Sequence, residues 1–99
     1  AAAPEDQKWR INALAADFLR WVGQPTPALQ YIQESIRLKE VSWNYWIKAR
    51  ILAAQEDYAG ALAAADSAKK MAKAHPEDDF YENQKGEIEK LVKEWKGKE

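Results

Sequence analysis

Ninety-nine residues suit one domain, and a chain this short buries only about two-thirds of its unfolded surface, so its few large side chains carry the packing. Fifteen Lys and Arg against sixteen Asp and Glu leave a net charge of -1, which excludes a field that would recruit nucleic acid or anionic lipid. There is no cysteine, so disulfides, thiolate nucleophiles and Cys-based zinc sites are excluded, while either redox compartment fits. No apolar run reaches the roughly eighteen residues of a membrane span. The N-terminal AAAPEDQ is neither basic nor followed by an uninterrupted apolar core, so a soluble chain without membrane insertion is expected.

The first helix is expected from Pro4, whose missing N–H suits a first turn, to about Val22, with Glu5 and Asp6 complementing the dipole. Trp9, Ala13, Ala16, Phe18 and Leu19 form its apolar stripe, and Gly23-Gln24-Pro25 ends it. Thr26 is the expected cap of a second helix that starts at Pro27 and ends near Lys39. Its stripe of Ala28, Leu29, Ile32, Ser35, Ile36 and Leu38 is spaced at three and four. Ser42 opens a third helix, from Trp43 to Gln55. Trp43, Tyr45, Trp46, Ile47, Ala49, Ile51, Leu52 and Ala53 are too many for one stripe, which predicts the least exposed helix, covered on more than one face. Asp57 caps a fourth helix from Tyr58 to about His75, and its face of Ala61, Leu62, Ala65, Ala68 and Ala72 permits close helix approach. Pro76 restarts the chain. Glu77, Asp78 and Asp79 place negative charge at the beginning of a fifth helix, striped by Phe80, Ile88, Leu91, Val92 and Trp95. Lys85 with Glu89, Glu89 with Lys93 and Lys90 with Glu94 mark its outer face as solvated.

Between Arg10 and Met71 one helix-turn-helix unit is written twice, thirty-three residues apart. The shift aligns Ala16 with Ala49, Leu19 with Leu52, Ala28 with Ala61 and Leu29 with Leu62. It also preserves size class in Leu14/Ile47, Phe18/Ile51, Ser35/Ala68 and Leu38/Met71. A helical pair of this period cannot bury its apolar face alone and must stack on a neighbour. The expected fold is a single all-α domain of five helices. Two antiparallel pairs, at about 4–39 and 42–75, are followed by a capping helix at about 77–96.

Tyr45, Ala49, Leu52, Asp57-Tyr58, Ala61 and Ala68 resemble the tetratricopeptide repeat pattern of aromatic, small, large, turn, small, small; Ala16, Leu19, Ala28, Ile32 and Ser35 follow it more loosely. The pattern is departed from at Ala15 and Lys48, which replace leucine, at Ala65, which replaces an aromatic, and at Pro76, which comes three residues late. The fourth helix is therefore expected to be about a turn longer. Ala28 through Trp95, especially VSWNYWIKARILAAQEDYAGALAAADSAKKMAK, DDF and EKLVKEWK, also resembles the C-terminal helical module of an uncharacterised family of secreted bacterial proteins. There a β-rich domain precedes the helices. This resemblance implies a secreted or periplasmic setting, and a chain that is a detached C-terminal part or a relative that lost its first domain. It transfers no catalytic residue.

His75, the single histidine, sits at a helix C-terminus where an imidazolium complements the dipole, and alone it cannot build a triad and a metal site. Glu77, Asp78 and Asp79 lack the glycine turn and alternating ligands of a calcium loop. Gly23, Gly60, Gly86 and Gly97 are scattered singly, so no phosphate-cradling loop exists. No catalytic, cofactor-binding or metal residue is assigned, and no enzyme activity is expected. On a tetratricopeptide-like frame the groove-facing places hold Arg10, Ala13, Asp17 and Arg20 in the first copy. In the second they hold Trp43, Trp46, Arg50 and Ala53. Trp43, Trp46, Arg50, Arg10, Asp17 and Arg20 form the candidate protein-binding surface, because Trp and Arg combine large area with directional donors. Alternatively both tryptophans fill a core against the fifth helix. Ala13, Asp17 and Ile47 replace parts of the set that grips a peptide's terminal carboxylate in the known clamp version, so chaperone-tail recognition is not expected. The expected function is a non-enzymatic interaction scaffold for a protein segment or the chain's own upstream domain. The alternatives are a structural module that stabilises an upstream β-rich domain and an accessory domain of an enzyme. An uncovered Trp43/Trp46 surface would favour a homo-oligomer.

Overall fold

Gly23 and Glu56 stand thirty-three residues apart and stop their helices with the same hydrogen-bond pattern. Gly23 has φ 85° and Glu56 φ 64°, the left-handed conformation of a helix C-terminus. In the first turn the Gln24 N–H reaches the Leu19 carbonyl at 2.8 Å and the Gly23 N–H reaches Arg20 at 3.1 Å. In the second, Asp57 reaches Leu52 and Glu56 reaches Ala53, both at 2.9 Å. Both turns reverse the chain within three residues, and each makes a helical hairpin.

The computed structural model describes residues 7–99, so Pro4, Glu5 and Asp6 of the expected first turn lie outside the described residues. Within them the protein is all-α, with six helices and no strand: α1 (Lys8–Trp21), α2 (Pro25–Leu38), α3 (Ser42–Ala54), α4 (Tyr58–Ala74), α5 (Phe80–Asn83) and α6 (Lys85–Lys98). The expected Thr26 cap is displaced, because Pro25 already occupies the first helical position with its fixed φ and missing donor. Asp57 caps α4 as expected, its Oδ1 accepting from the Gly60 N–H at 2.9 Å. With seventeen residues against fourteen in α2, α4 is longer by about a turn.

Helices α1 and α2 pack most closely on each other, as do α3 and α4, and α3 also lies on the first pair. The molecule is 18 Å across its thinnest direction, enough for two helical layers. Ala13, Ala16, Ala28, Ile32, Ile47 and Ile51 form one core, between the first pair and one side of α3. A second core joins the other side of α3 to the C-terminal helices through Trp46, Ala49, Ala61, Ala65, Ala68, Tyr81, Ile88 and Trp95, with Ala64 beside them. The breadth of α3's apolar positions thus has its expected consequence. Its larger side chains point both ways into two cores.

The C-terminal segment departs most from expectation, forming two helices that turn at Gln84 rather than one from residue 77. Asp78 starts no helix. Its Oδ2 accepts from the Ser42 N–H and its Oδ1 from the Ser42 hydroxyl, both at 2.8 Å, so this carboxylate caps α3 from thirty-six residues away. Ile88 and Trp95 are buried and Phe80, Leu91 and Val92 partly so, covering the second pair as expected, but Tyr81 is buried with them and was absent from the predicted stripe. The Lys–Glu pairs expected on α6 do not close. Ion pairs join Asp17 with Arg20, Glu34 with Arg37 and Asp66 with Lys70 instead.

The paired helix ends give a direct test. Glu56→Gly should relieve a non-glycine left-handed residue and stabilise the protein by about 0.5–1 kcal/mol, whereas Gly23→Ala should cost about 1 kcal/mol. Denaturant midpoints moving in opposite directions are the expected result.

Candidate interaction surfaces

Three buried polar side chains fix the helix ends around the expected groove. The Ser35 hydroxyl donates to the Trp9 carbonyl at 2.6 Å, tying α2 to α1. Asn44 Nδ2 donates to the Lys39 carbonyl at 2.7 Å and to Ser35 Oγ at 3.2 Å, while its Oδ1 accepts from the Val41 N–H at 3.2 Å. With Ser42 held by Asp78, the network runs from α1 through α2 and α3 to the start of α5. Among the described residues no buried side-chain polar atom lacks a partner. Asn44 escaped the sequence reading. Its signal was a polar residue at the repeat position where the first copy has Ile11.

The six residues expected to share one groove lie in three settings. Trp46 is 4% exposed and stacks on Trp95 of α6 with ring centroids 5.4 Å apart, so the open groove expected there is filled by the chain's own C-terminal helix. Its assignment as a docking residue is corrected to core. Trp43 is half-buried, edge-on to Trp9 at 6.1 Å. Trp9 also carries Arg10 at 5.2 Å and Lys39 at 5.3 Å from its ring centroid. Arg10 and Trp43 therefore meet at a cleft of about 360 Å³ that also takes in His75, Glu77 and Asp79. Asp17, Arg20 and Arg50 form the third setting. Asp17 Oδ1 receives Arg20 Nε at 3.0 Å and Nη2 at 2.9 Å. Burial and the nearby Arg20 hold the Arg50 guanidinium below its usual range, while Asp17 and Glu87 of α6 oppose that shift. Asp17 and Arg20 are thus paired with each other, and Arg50 brings a second positive charge beside them.

Among the described residues, the exposed large apolar side chains other than Tyr31 gather elsewhere. Ile11, Leu14, Phe18, Trp21 and Val22 are all exposed along the outer side of α1, Trp21 at 78%. Phe18, expected in the buried stripe, is 59% exposed and Leu14 is 54%, whereas their repeat equivalents Ile51 and Ile47 are 0% and 2% exposed. The difference is cover: the α3 positions are sealed by the α1–α2 pair, and no helix among the described residues covers the same positions of α1. The signal was available in the spacing of Ile11, Leu14, Phe18 and Trp21, at three, four and three on the side opposite Ala13 and Ala16.

Among the described residues no three His, Cys, Asp or Glu side chains gather as a metal site would require, and no helix is long and apolar enough to cross a membrane. Comparison of the chain with protein-family models, curated proteins and solved structures finds no match.

Core and surface tryptophans should separate cleanly in denaturation experiments. Trp46→Ala and Trp95→Ala should each cost about 3–5 kcal/mol, with the double variant losing less than the sum because the rings stack on each other. Trp21→Ser should change stability by less than about 0.5 kcal/mol.

Proposed function

We propose that this protein is a non-enzymatic interaction module, built as two tetratricopeptide-like helix pairs closed at one end by the C-terminal helices. The single observation that carries this reading is the contiguous apolar stripe on α1. An exposed surface of that size and continuity marks a docking site, whereas isolated exposed apolar residues carry no such meaning. The 33-residue offset shared by both helix-ending turns supports the repeat architecture. Docking on α1 replaces the Trp46-centred groove; Arg10 and Asp17 border the stripe on the same helix, while Arg20, Trp43 and Arg50 lie on the inner side toward α3.

A second reading draws on the same stripe. A module that stabilises a neighbouring β-rich domain of one longer polypeptide would seat that domain on α1, and the resemblance to secreted bacterial proteins supports this arrangement and an extracytoplasmic setting.

A photoreactive phenylalanine analogue placed at Trp21, with one at the exposed Ala63 on α4 as control, tests the reading in the native host. Illumination should trap protein at position 21 and not at 63, and mass spectrometry of the digested adduct would distinguish a separate partner from a segment of the same polypeptide. Equal, background labelling at both positions would sink the interaction reading.

A further inference from the structure

We propose that the occupant of the α1 stripe is the same stripe on a second copy of this chain, the two α1 helices packing antiparallel about a two-fold axis. This rests on the interaction reading above and names its partner. Ile11, Leu14, Phe18 and Trp21 follow the a and d places of two successive heptads, the spacing that keeps one helix face against another. The repeat shows that a helical surface suits the two central positions, because Ile47 and Ile51, the α3 equivalents of Leu14 and Phe18, are covered by helices.

The stripe is also complementary to itself. Running antiparallel and centred near residue 16, Ile11 opposes Trp21 of the second copy and Leu14 opposes its Phe18. Each layer then sets a branched aliphatic residue against an aromatic one. Ala15 lies beside the seam and leaves room there for the second backbone. Among the described residues, every exposed large apolar side chain lies on α1 or its cap except Tyr31, so a head-to-tail arrangement has no second apolar surface to use. A closed, isologous pair is what remains.

Area and charge agree with this choice. At their observed exposures the five side chains leave on the order of 600 Å² of apolar surface per copy, most of the about 800 Å² per partner that a stable interface buries. Polar neighbours supply the remainder. Asp17 beside the seam is already neutralised by Arg20, and a chain of net charge -1 repels its copy little.

Sedimentation equilibrium on the purified 99-residue chain gives the first test. A mass twice 11.3 kDa should appear with a dissociation constant between about 1 and 100 µM. Phe18→Glu should raise that constant by about 30-fold or more with the helical circular dichroism unchanged. The absence of native cysteine permits a second, positional test. Ala15→Cys should form a disulfide-linked or bismaleimide-linked dimer rapidly, while Lys70→Cys on exposed α4 should not. A wild-type chain that stays monomeric at 100 µM and above, or cysteines that cross-link at equal rates, would overturn the second-copy proposal. If position 21 then still traps a different protein in the native host, the interaction reading stands with another occupant. If it traps nothing, both fall.

Discussion

Helix α3 must be buried on two sides at once, and the rest of the architecture follows from that constraint. Ile47 and Ile51 turn toward the first helical pair, and Trp46 and Ala49 toward α4 and the C-terminal helices. A helix so enclosed has little water available for the donors at its N-terminus, so those donors need protein partners. Asp78 supplies one, accepting from the Ser42 N–H. The segment that brings Asp78 to Ser42 then positions α5, and α5 in turn starts the α6 helix that stacks Trp95 on Trp46. Neutralising that carboxylate by substitution would therefore loosen the C-terminal closure as well as one helix end.

The internal duplication makes the molecule asymmetric in an informative way. Ala16, Ala28, Ala49, Ala61 and Ala68 are all buried, because the hairpins bring their backbones close and only small side chains fit. Larger residues fall on the faces between pairs. In the second copy those faces meet α1 and α2 on one side and α5 and α6 on the other. In the first copy one such face meets α3 and the other, on α1, meets solvent. The stack is thus closed by the C-terminal helices at one end and, among the described residues, left apolar at the other.

Periodicity in the sequence showed which faces are apolar but not what covers each one. The helix count up to α4, the Asp57 cap, the alanine contacts and the two-sided burial of α3 were legible because each depends on neighbours close in sequence or on a repeated spacing. Trp46 was assigned to a groove because its place in the repeat register faces the concave side of a tetratricopeptide-like frame; the alternative of a core against the C-terminal helix is the one that the course of α6 realises. Glu77, Asp78 and Asp79 looked like the acidic start of a local helix, yet Asp78 serves α3. Long-range capping leaves no pattern in a contiguous segment. Asn44 and Phe18 were readable in principle, since repeat alignment sets one against apolar Ile11 and helical spacing sets the other with Ile11, Leu14 and Trp21 on the side opposite Ala13 and Ala16.

The distribution of mass along α1 makes the stability of the first pair sensitive to whatever covers its outer face. Its buried side chains are Ala13 and Ala16, which contribute close contact but little area, while Ile11, Leu14, Phe18 and Trp21 point to solvent. Helix α1 is thus held by its hairpin turn, by the Ser35 bond to Trp9 and by half-buried residues such as Leu19, with most of its apolar surface unused. The α3 helix, with its isoleucines covered, has no such reserve. Any occupant of the outer face adds its binding free energy to the folding of the first helical pair, because the stripe exists only when α1 is helical. Binding at that face and consolidation of the first pair would therefore be one equilibrium, with the first pair the part of the fold most responsive to it.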